Sequence, residues 1–220
     1  PRLLKALHLS LLRLGVDIQE HTEAQGFVVE RGEVRGVETS RGRIPAERVV
    51  VAAGAWSGAL LEKAGLRLPV VPIKGQMIMF RAVPGVVSRI VLQEARYVIP
   101  RRDGRVLVGS TVEQAGFDKA IDEQAGSALA ERARELFPAL RRYPIERQWA
   151  GLRPGNLPAS RGGVPFIGEH PAIRGLYVIT GHFRNGVVMA PASVHLLMDL
   201  MRDRPPWVDA KPYALTLEMV

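Results

Sequence analysis

The stretch Val49-Val50-Val51-Ala52-Ala53-Gly54-Ala55-Trp56-Ser57 decides the fold class. Three β-branched residues followed by small ones read as a strand that runs into a tight turn. A continuous apolar strand belongs to a sheet covered on both faces, the arrangement of α/β folds. The small residues also let another group approach the backbone closely. A plain strand-to-helix turn explains them as well. Trp56 to Leu61 opens the next helix.

Upstream of this stretch, apolar residues at 3, 4, 7, 11, 12 and 14 fit one helix face, which Gly15 ends. Val16 to His21 reads as a short strand. Residues 26–30 and 34–39 read as a hairpin turning at Arg31-Gly32-Glu33. Downstream, the texture changes near Pro69. Strands are expected over 70–82, 88–99 and 105–111, with Pro84-Gly85 and Arg102-Asp103-Gly104 as turns. A helix runs from Asp122 to Phe137 and is followed by Pro138. A strand at 145–152 precedes a Gly/Pro-rich stretch over 154–168. Then come a strand at 176–180, a turn at 181–186 and an apolar helix at 187–201. Pro191 falls in the first turns of that helix, where proline is best tolerated. There is no internal repeat. An α/β start, a β-rich middle and an α/β finish describe an α/β (α+β) chain in which one domain is interrupted by a second. The expected divisions are 1–69, 70–147 and 148–220.

The 220 residues are 47% hydrophobic and 24% charged, which excludes a disordered or low-complexity chain. No apolar run reaches the roughly 18 residues of a membrane span. Cysteine is absent, so disulfides, thiolate metal sites, iron–sulfur clusters and a cysteine nucleophile are excluded. The net charge is +8, and arginine supplies 25 of the 30 basic residues. Those arginines are dispersed and aromatics make up only 6%, so no basic groove with stacking platforms is visible and nucleic acid is not the expected partner. The opening segment begins with Pro1 inside a helical pattern and lacks the layout of a signal peptide. The expected location is cytoplasmic, and the chain reads as starting partway through a larger protein.

Several catalytic classes find no support. There is no Gly-x-Ser-x-Gly elbow, no Walker loop and no Gly-x-Gly-x-x-Gly. His8, His21, His170, His182 and His195 are scattered, with no metal-ligand spacing. Two segments remain besides the opening one. In Trp149-Ala150-Gly151-Leu152-Arg153-Pro154-Gly155, a guanidinium stands at the end of an apolar strand. It needs an anion, either an internal Asp or Glu or the carboxylate or phosphate of a substrate. In Thr180-Gly181-His182-Phe183-Arg184-Asn185-Gly186-Val187-Val188, a glycine-flanked turn leads into a helix whose first N–H groups suit a partial negative charge. An ordinary capped helix start is the plainer account.

Together with Tyr97-Val98-Ile99-Pro100-Arg101, Val108-Gly109-Ser110-Thr111 and Pro165-Phe166-Ile167-Gly168, these segments follow a family order across nearly the whole chain. The chain resembles the flavin-dependent amino acid oxidases of the D-amino acid oxidase superfamily, and within it the glycine oxidase branch linked to thiamin biosynthesis. The Gly-His-Phe-Arg-Asn-Gly turn and the Trp-Ala-Gly-Leu-Arg-Pro strand carry most of the likeness. The strand–glycine loop–helix that holds the FAD diphosphate in this family is not in the sequence, and Val112 and Ala95 lie near the expected pocket without a clear match.

The resemblance implies an FAD-binding Rossmann-like domain interrupted by a β-rich substrate-binding domain. It implies non-covalent FAD, a small amino acid substrate and O2. Arg153 would clamp the substrate carboxylate, Tyr97 would donate a hydroxyl to it, and the Arg184 carbonyl would meet the amine. His182, Phe183, Arg184, Asn185, Gly186, Val187 and Val188 would line the flavin. Ala53, Gly54 and Trp56 would lie by the adenosine, and Ala24 would meet the adenine. A homo-oligomer is left open. The alternative reading is a catalytically silent fragment or scaffold without FAD.

Overall fold

The computed structural model describes residues 2–156 and 163–216. Helix α1 (Arg2–Arg13) follows the expected periodicity and stops at Gly15, whose φ of 74° is left-handed. Its leucines, Leu4 and Leu7 among them, are exposed. Residues 16–21 are not a strand, and His21 turns the chain with φ 55°. An extended segment becomes a strand only where a neighbour takes up its N–H and C=O groups. No strand pairs with this segment among the described residues, and the Val16 N–H turns back to the Leu11 carbonyl at 3.0 Å.

Strands β1 (Ala24–Glu30), β2 (Glu33–Thr39) and β3 (Gly42–Pro45) form an antiparallel meander. β3 escaped the sequence reading because all four of its residues are exposed and show no alternation. β4 (Val49–Val51) belongs to a second sheet, of order β10-β11-β4. There it runs parallel to β11 (Leu176–Thr180), which is antiparallel to β10 (Phe166–Glu169). Val51, Leu61, Leu66, Phe166 and Val178 form the core against this sheet. Val50 is 40% exposed, so the expectation that both faces of β4 are covered fails among the described residues. After β4, a 3-10 turn at Gly54–Trp56 leads into α2 (Ser57–Glu62).

The third sheet is antiparallel, of order β6-β7-β8-β5-β9. It is built from β5 (Val70–Phe80), β6 (Val91–Gln93), β7 (Arg96–Pro100), β8 (Val106–Gly109) and β9 (Ile145–Asn156). The single strand expected over 88–99 is a hairpin turning at Glu94 and Ala95, with φ 48° and 61°. β9 outruns its expected end at 152 because β5 pairs with it from Val70 to Phe80. Position 147/148 therefore falls inside a strand.

α3 (Glu123–Leu136) starts at Asp122, whose carboxylate accepts from the Gln124 N–H at 2.9 Å. Its Leu129, Ala130 and Ala133 pack on Ile78, Phe80, Val98, Val106 and Val108 from one face of the third sheet. Alternation along the strands and the register then put Met77, Tyr97, Trp149 and Arg153 on the other face. α4 (Gly186–Met201) packs Leu196 and Leu197 on Ile167 and Tyr177. Pro191 is its sixth residue, past the first turn, and leaves the Val187 carbonyl without its helical donor. No described helix is long and apolar enough to cross a membrane.

Candidate active site

On the face of the third sheet away from α3, the register aligns Tyr97, Gly109, Met77 and Trp149 in one cross-strand row. The Tyr97 hydroxyl is 3.8 Å from Met77 Sδ, a weak acceptor. Gly109 makes this packing feasible, because a Cβ there would stand 2.9 Å from Met77 Cγ and 3.2 Å from Tyr97 Oη.

Arg153 lies four cross-strand pairs further along β9, on the same face and opposite Ile73. Its guanidinium extends over Gly75, where any Cβ would collide with it. Nη2 donates to Ser110 Oγ at 2.7 Å and Nη1 donates to the Thr111 carbonyl at 3.3 Å. Among the described residues these partners are both uncharged, so the internal salt bridge considered for Arg153 is not made. A guanidinium carries five donors. Two are used, which leaves enough for a two-pronged contact with a carboxylate. Tyr97 and Arg153 thus meet at consecutive residues, Gly109 and Ser110.

The 181–186 turn abuts the same place. The Phe183 N–H donates to the carbonyl of Pro154, the neighbour of Arg153, at 3.0 Å. Gly181, with φ 83°, has no room for a Cβ because the Asn156 amide lies against it. Thr180 Oγ1 donates to the Gly54 carbonyl at 3.1 Å. The Gly54 corner and the turn therefore sit side by side at the carboxyl ends of the parallel pair β4 and β11, where α/β sheets bind ligands. Asn185 precedes α4 without a side-chain cap, and the first helical bond back to it comes from Met189 at 2.9 Å. The amides of Gly186, Val187 and Val188 thus lack intrahelical acceptors. The Val187 and Val188 side chains are 74% and 84% exposed.

His182 Nε2 and Ser193 Oγ are 2.9 Å apart. Burial pushes the His182 imidazole below the usual histidine value, so it is neutral at pH 7. The Arg184 side chain is exposed, with its guanidinium 5.7 Å from the Phe183 ring centre. Trp56 stacks on Phe117 at 5.7 Å, with Lys119 5.9 Å from its ring centre. Ala53 is half-buried against the first core. Ala24 opens β1 opposite Thr39, in the meander rather than in the Arg153 cluster.

Of the residues singled out in the sequence, Arg153, Tyr97, Gly54 and the 181–186 turn come together. Gly75, Ser110 and Thr111 also belong to the cluster and were given no role from sequence. A lone glycine inside an apolar strand was the available signal for Gly75, since it marks close approach of another group.

A glycine-bounded turn at the carboxyl end of a parallel strand pair, beside an antiparallel sheet whose arginine has no acid partner among the described residues, fits a flavoprotein oxidoreductase. The FAD dependent oxidoreductase (DAO) family matches residues 1–200, and the chain belongs to that family. It is 48% identical over 215 residues to a glycine oxidase of Pseudomonas aeruginosa, covering 97% of this chain and 58% of the relative. It is 38% identical to a bifunctional protein ThiO/ThiG of Synechocystis, covering 92% of this chain and 30% of that one. The crystal structure of glycine oxidase from Geobacillus kaustophilus superimposes with a TM-score of 0.90 at 31% identity, over 98% of this chain and 57% of that one. The chain thus spans a little over half the length of the glycine oxidases it matches.

Proposed function

We propose that this chain carries the substrate-binding part of an FAD-dependent oxidase that acts on glycine or another small amino acid, D-amino acid or secondary amine. The observation that carries this reading is Arg153, a partly buried guanidinium with only uncharged partners, on the sheet face beside the 181–186 turn. The likeness to glycine oxidases supports it.

The residues present fit the flavin end of FAD. The uncapped amides of Gly186, Val187 and Val188 suit the electron-rich edge of the ring, and the exposed valines beside them suit its apolar surface. Gly54, with φ 56°, has nothing within 4 Å of where a Cβ would stand, so a cofactor can approach its backbone. When bound, FAD would supply the two-electron acceptor for hydride from the substrate Cα, with O2 as the terminal oxidant giving H2O2 and water hydrolysing the imino acid to an oxo acid and ammonia.

The chain's own residues supply position and charge. Arg153 grips the substrate carboxylate with two parallel N–H groups, and Tyr97 donates its hydroxyl to the same group. The Arg184 carbonyl accepts from the amine. The N-terminal amides of α4 stabilise negative charge that develops beside them. An amine that binds neutral needs no protein base, and orientation then carries the remaining burden. His182 is neutral and engaged with Ser193, and it packs rather than moves a proton. In this reading residues 1–69 and 148–220 belong to the FAD-binding domain and 70–147 to the substrate domain, with β9 shared between them. The ThiO-type relatives support a role in thiamin biosynthesis.

The test is to purify the full-length protein, record its visible absorbance and assay peroxide from glycine, sarcosine and D-alanine. Flavin absorbance and peroxide release from at least one of the three are expected. A protein that holds no flavin, or oxidises none of them, overturns the reading and favours a silent scaffold.

A further inference from the structure

We propose that Lys74 is a positioning residue for Arg153, acting from the opposite face of the third sheet. The inference rests on the reading of Arg153 as the carboxylate clamp.

Lys74 is 5% exposed and immediately precedes Gly75, on which the guanidinium lies. Its cross-strand partner is Glu113. The Lys74 N–H donates to the Glu113 carbonyl and the Glu113 N–H to the Lys74 carbonyl, both at 2.9 Å. The Lys74 ammonium is 3.6 Å from Glu113 Oε2 and 3.9 Å from Asp118 Oδ2. The other Glu113 oxygen accepts from the Gln76 side-chain amide at 2.9 Å. The Gln76 N–H donates in turn to Thr111 Oγ1 at 2.8 Å. Burial would raise the Glu113 carboxyl. Hydrogen bonds with Thr111 and Gln76 and the Lys74 charge outweigh that and hold it below the usual carboxylate range, so Glu113 is ionised at neutral pH.

Segment 111–113 is therefore fastened to β5 through Lys74 and Gln76. The carbonyl of Thr111 and the hydroxyl of the adjacent Ser110 are the two groups that Arg153 binds within the protein. No acid fixes the guanidinium, so its direction depends on where 110–111 are held. Removing one partner of a buried ion pair leaves the other charge uncompensated. Glu113 is partly open to water and can be rehydrated, so replacing Lys74 by methionine should loosen the segment more than it unfolds the protein.

The test uses the full-length, flavin-loaded protein with Lys74→Met, Lys74→Arg and the isosteric Glu113→Gln. Two quantities are read: kcat and KM for glycine, and amide hydrogen exchange across 110–118. Lys74→Met and Glu113→Gln should raise KM about tenfold with kcat little changed, because a small misplacement of a binding group is costly. Exchange over 110–113 should quicken in both, and Lys74→Arg should restore both readouts. A KM near wild type in Lys74→Met and Glu113→Gln overturns the proposal, as does a Lys74→Arg variant as impaired as Lys74→Met. Should Lys74→Met not fold, Glu113→Gln decides alone. If the wild-type protein oxidises no amino acid, the oxidase reading fails. Exchange then decides the positioning claim: unchanged protection overturns it, and quickened exchange rescued by arginine upholds it.

Discussion

The guanidinium of Arg153 rests on the backbone of Gly75, a residue 78 positions earlier in the chain and two cross-strand pairs from Ile73, the ladder partner of Arg153. The contact exists because position 75 has no side chain. It lets a long cation lie along the sheet face instead of projecting from it, and it brings Nη2 to Ser110. Gly151, which pairs with Gly75, differs in that a Cβ there would meet nothing within 4 Å.

Gly75→Ala must therefore displace the guanidinium, whereas Gly151→Ala leaves it where it is. The expected result for Gly75→Ala is a KM for glycine raised by about two orders of magnitude, with stability lowered by about 1–3 kcal/mol from overpacking. Steady-state kinetics and denaturant melts of both variants check this. A Gly75→Ala enzyme with wild-type KM would show that the contact does not set the position of Arg153.

Tyr97→Phe removes a hydroxyl whose contact within the protein is Met77 Sδ at 3.8 Å. Stability should change by no more than about 0.5 kcal/mol. If the hydroxyl serves the substrate carboxylate, KM should rise about tenfold, the worth of one hydrogen bond to a charged group. A destabilised protein with unchanged KM would assign the hydroxyl to packing instead.

Stability should fall on mild acidification. Burial holds His170 and His182 below the ordinary histidine value of 6.5. As pH drops below about 6.5 the unfolded chain takes up protons that the folded chain refuses, so ΔG of unfolding declines. The contribution is whole above 6.5 and is lost toward the depressed folded values. Urea midpoints between pH 7.5 and 5.5 measure it, and His182→Gln should flatten the slope. A wild-type midpoint that stays level across that range would contradict the assignment.

Asp122→Ala should cost about 1 kcal/mol through loss of the α3 cap. The Asp122 carboxylate accepts from Gln124, while its backbone N–H and C=O are taken by Gln76 and Gln148, bonds that the substitution leaves in place. A lowered denaturant midpoint at constant m-value is the expected readout.

The parts of the fold legible in the sequence are those that local chemistry dictates. Val49–Val51 with its small-residue turn, the helix closed by Pro138 and the glycine-bounded bend at 181–186 announce themselves within a few residues. The hairpin at Glu94-Ala95 does not, because neither residue is the glycine or asparagine that usually marks left-handed backbone. Residues 16–21 have strand composition but no neighbouring strand to pair with among the described residues. Arg153 stood out because a cation at the end of an apolar strand needs an anion. Ser110 and Gly75 did not, because their relation to Arg153 is created by the pairing of β5 with β8 and β9, and register between distant strands is not written locally. The ring of Trp56 stacks on Phe117, a contact invisible before the 113–118 segment is placed.

The claim on which the rest depends is that Arg153 recognises a carboxylate on the substrate. The most direct measurement compares kcat/KM for glycine with that for methylamine, which lacks the carboxylate, in the full-length wild type and in Arg153→Met. Removing one partner of a desolvated charge pair costs about 2–5 kcal/mol. The preference for glycine should therefore fall by roughly thirtyfold or more in the variant, with methylamine turnover little changed. An Arg153→Met protein that keeps the wild-type preference for glycine would contradict the account.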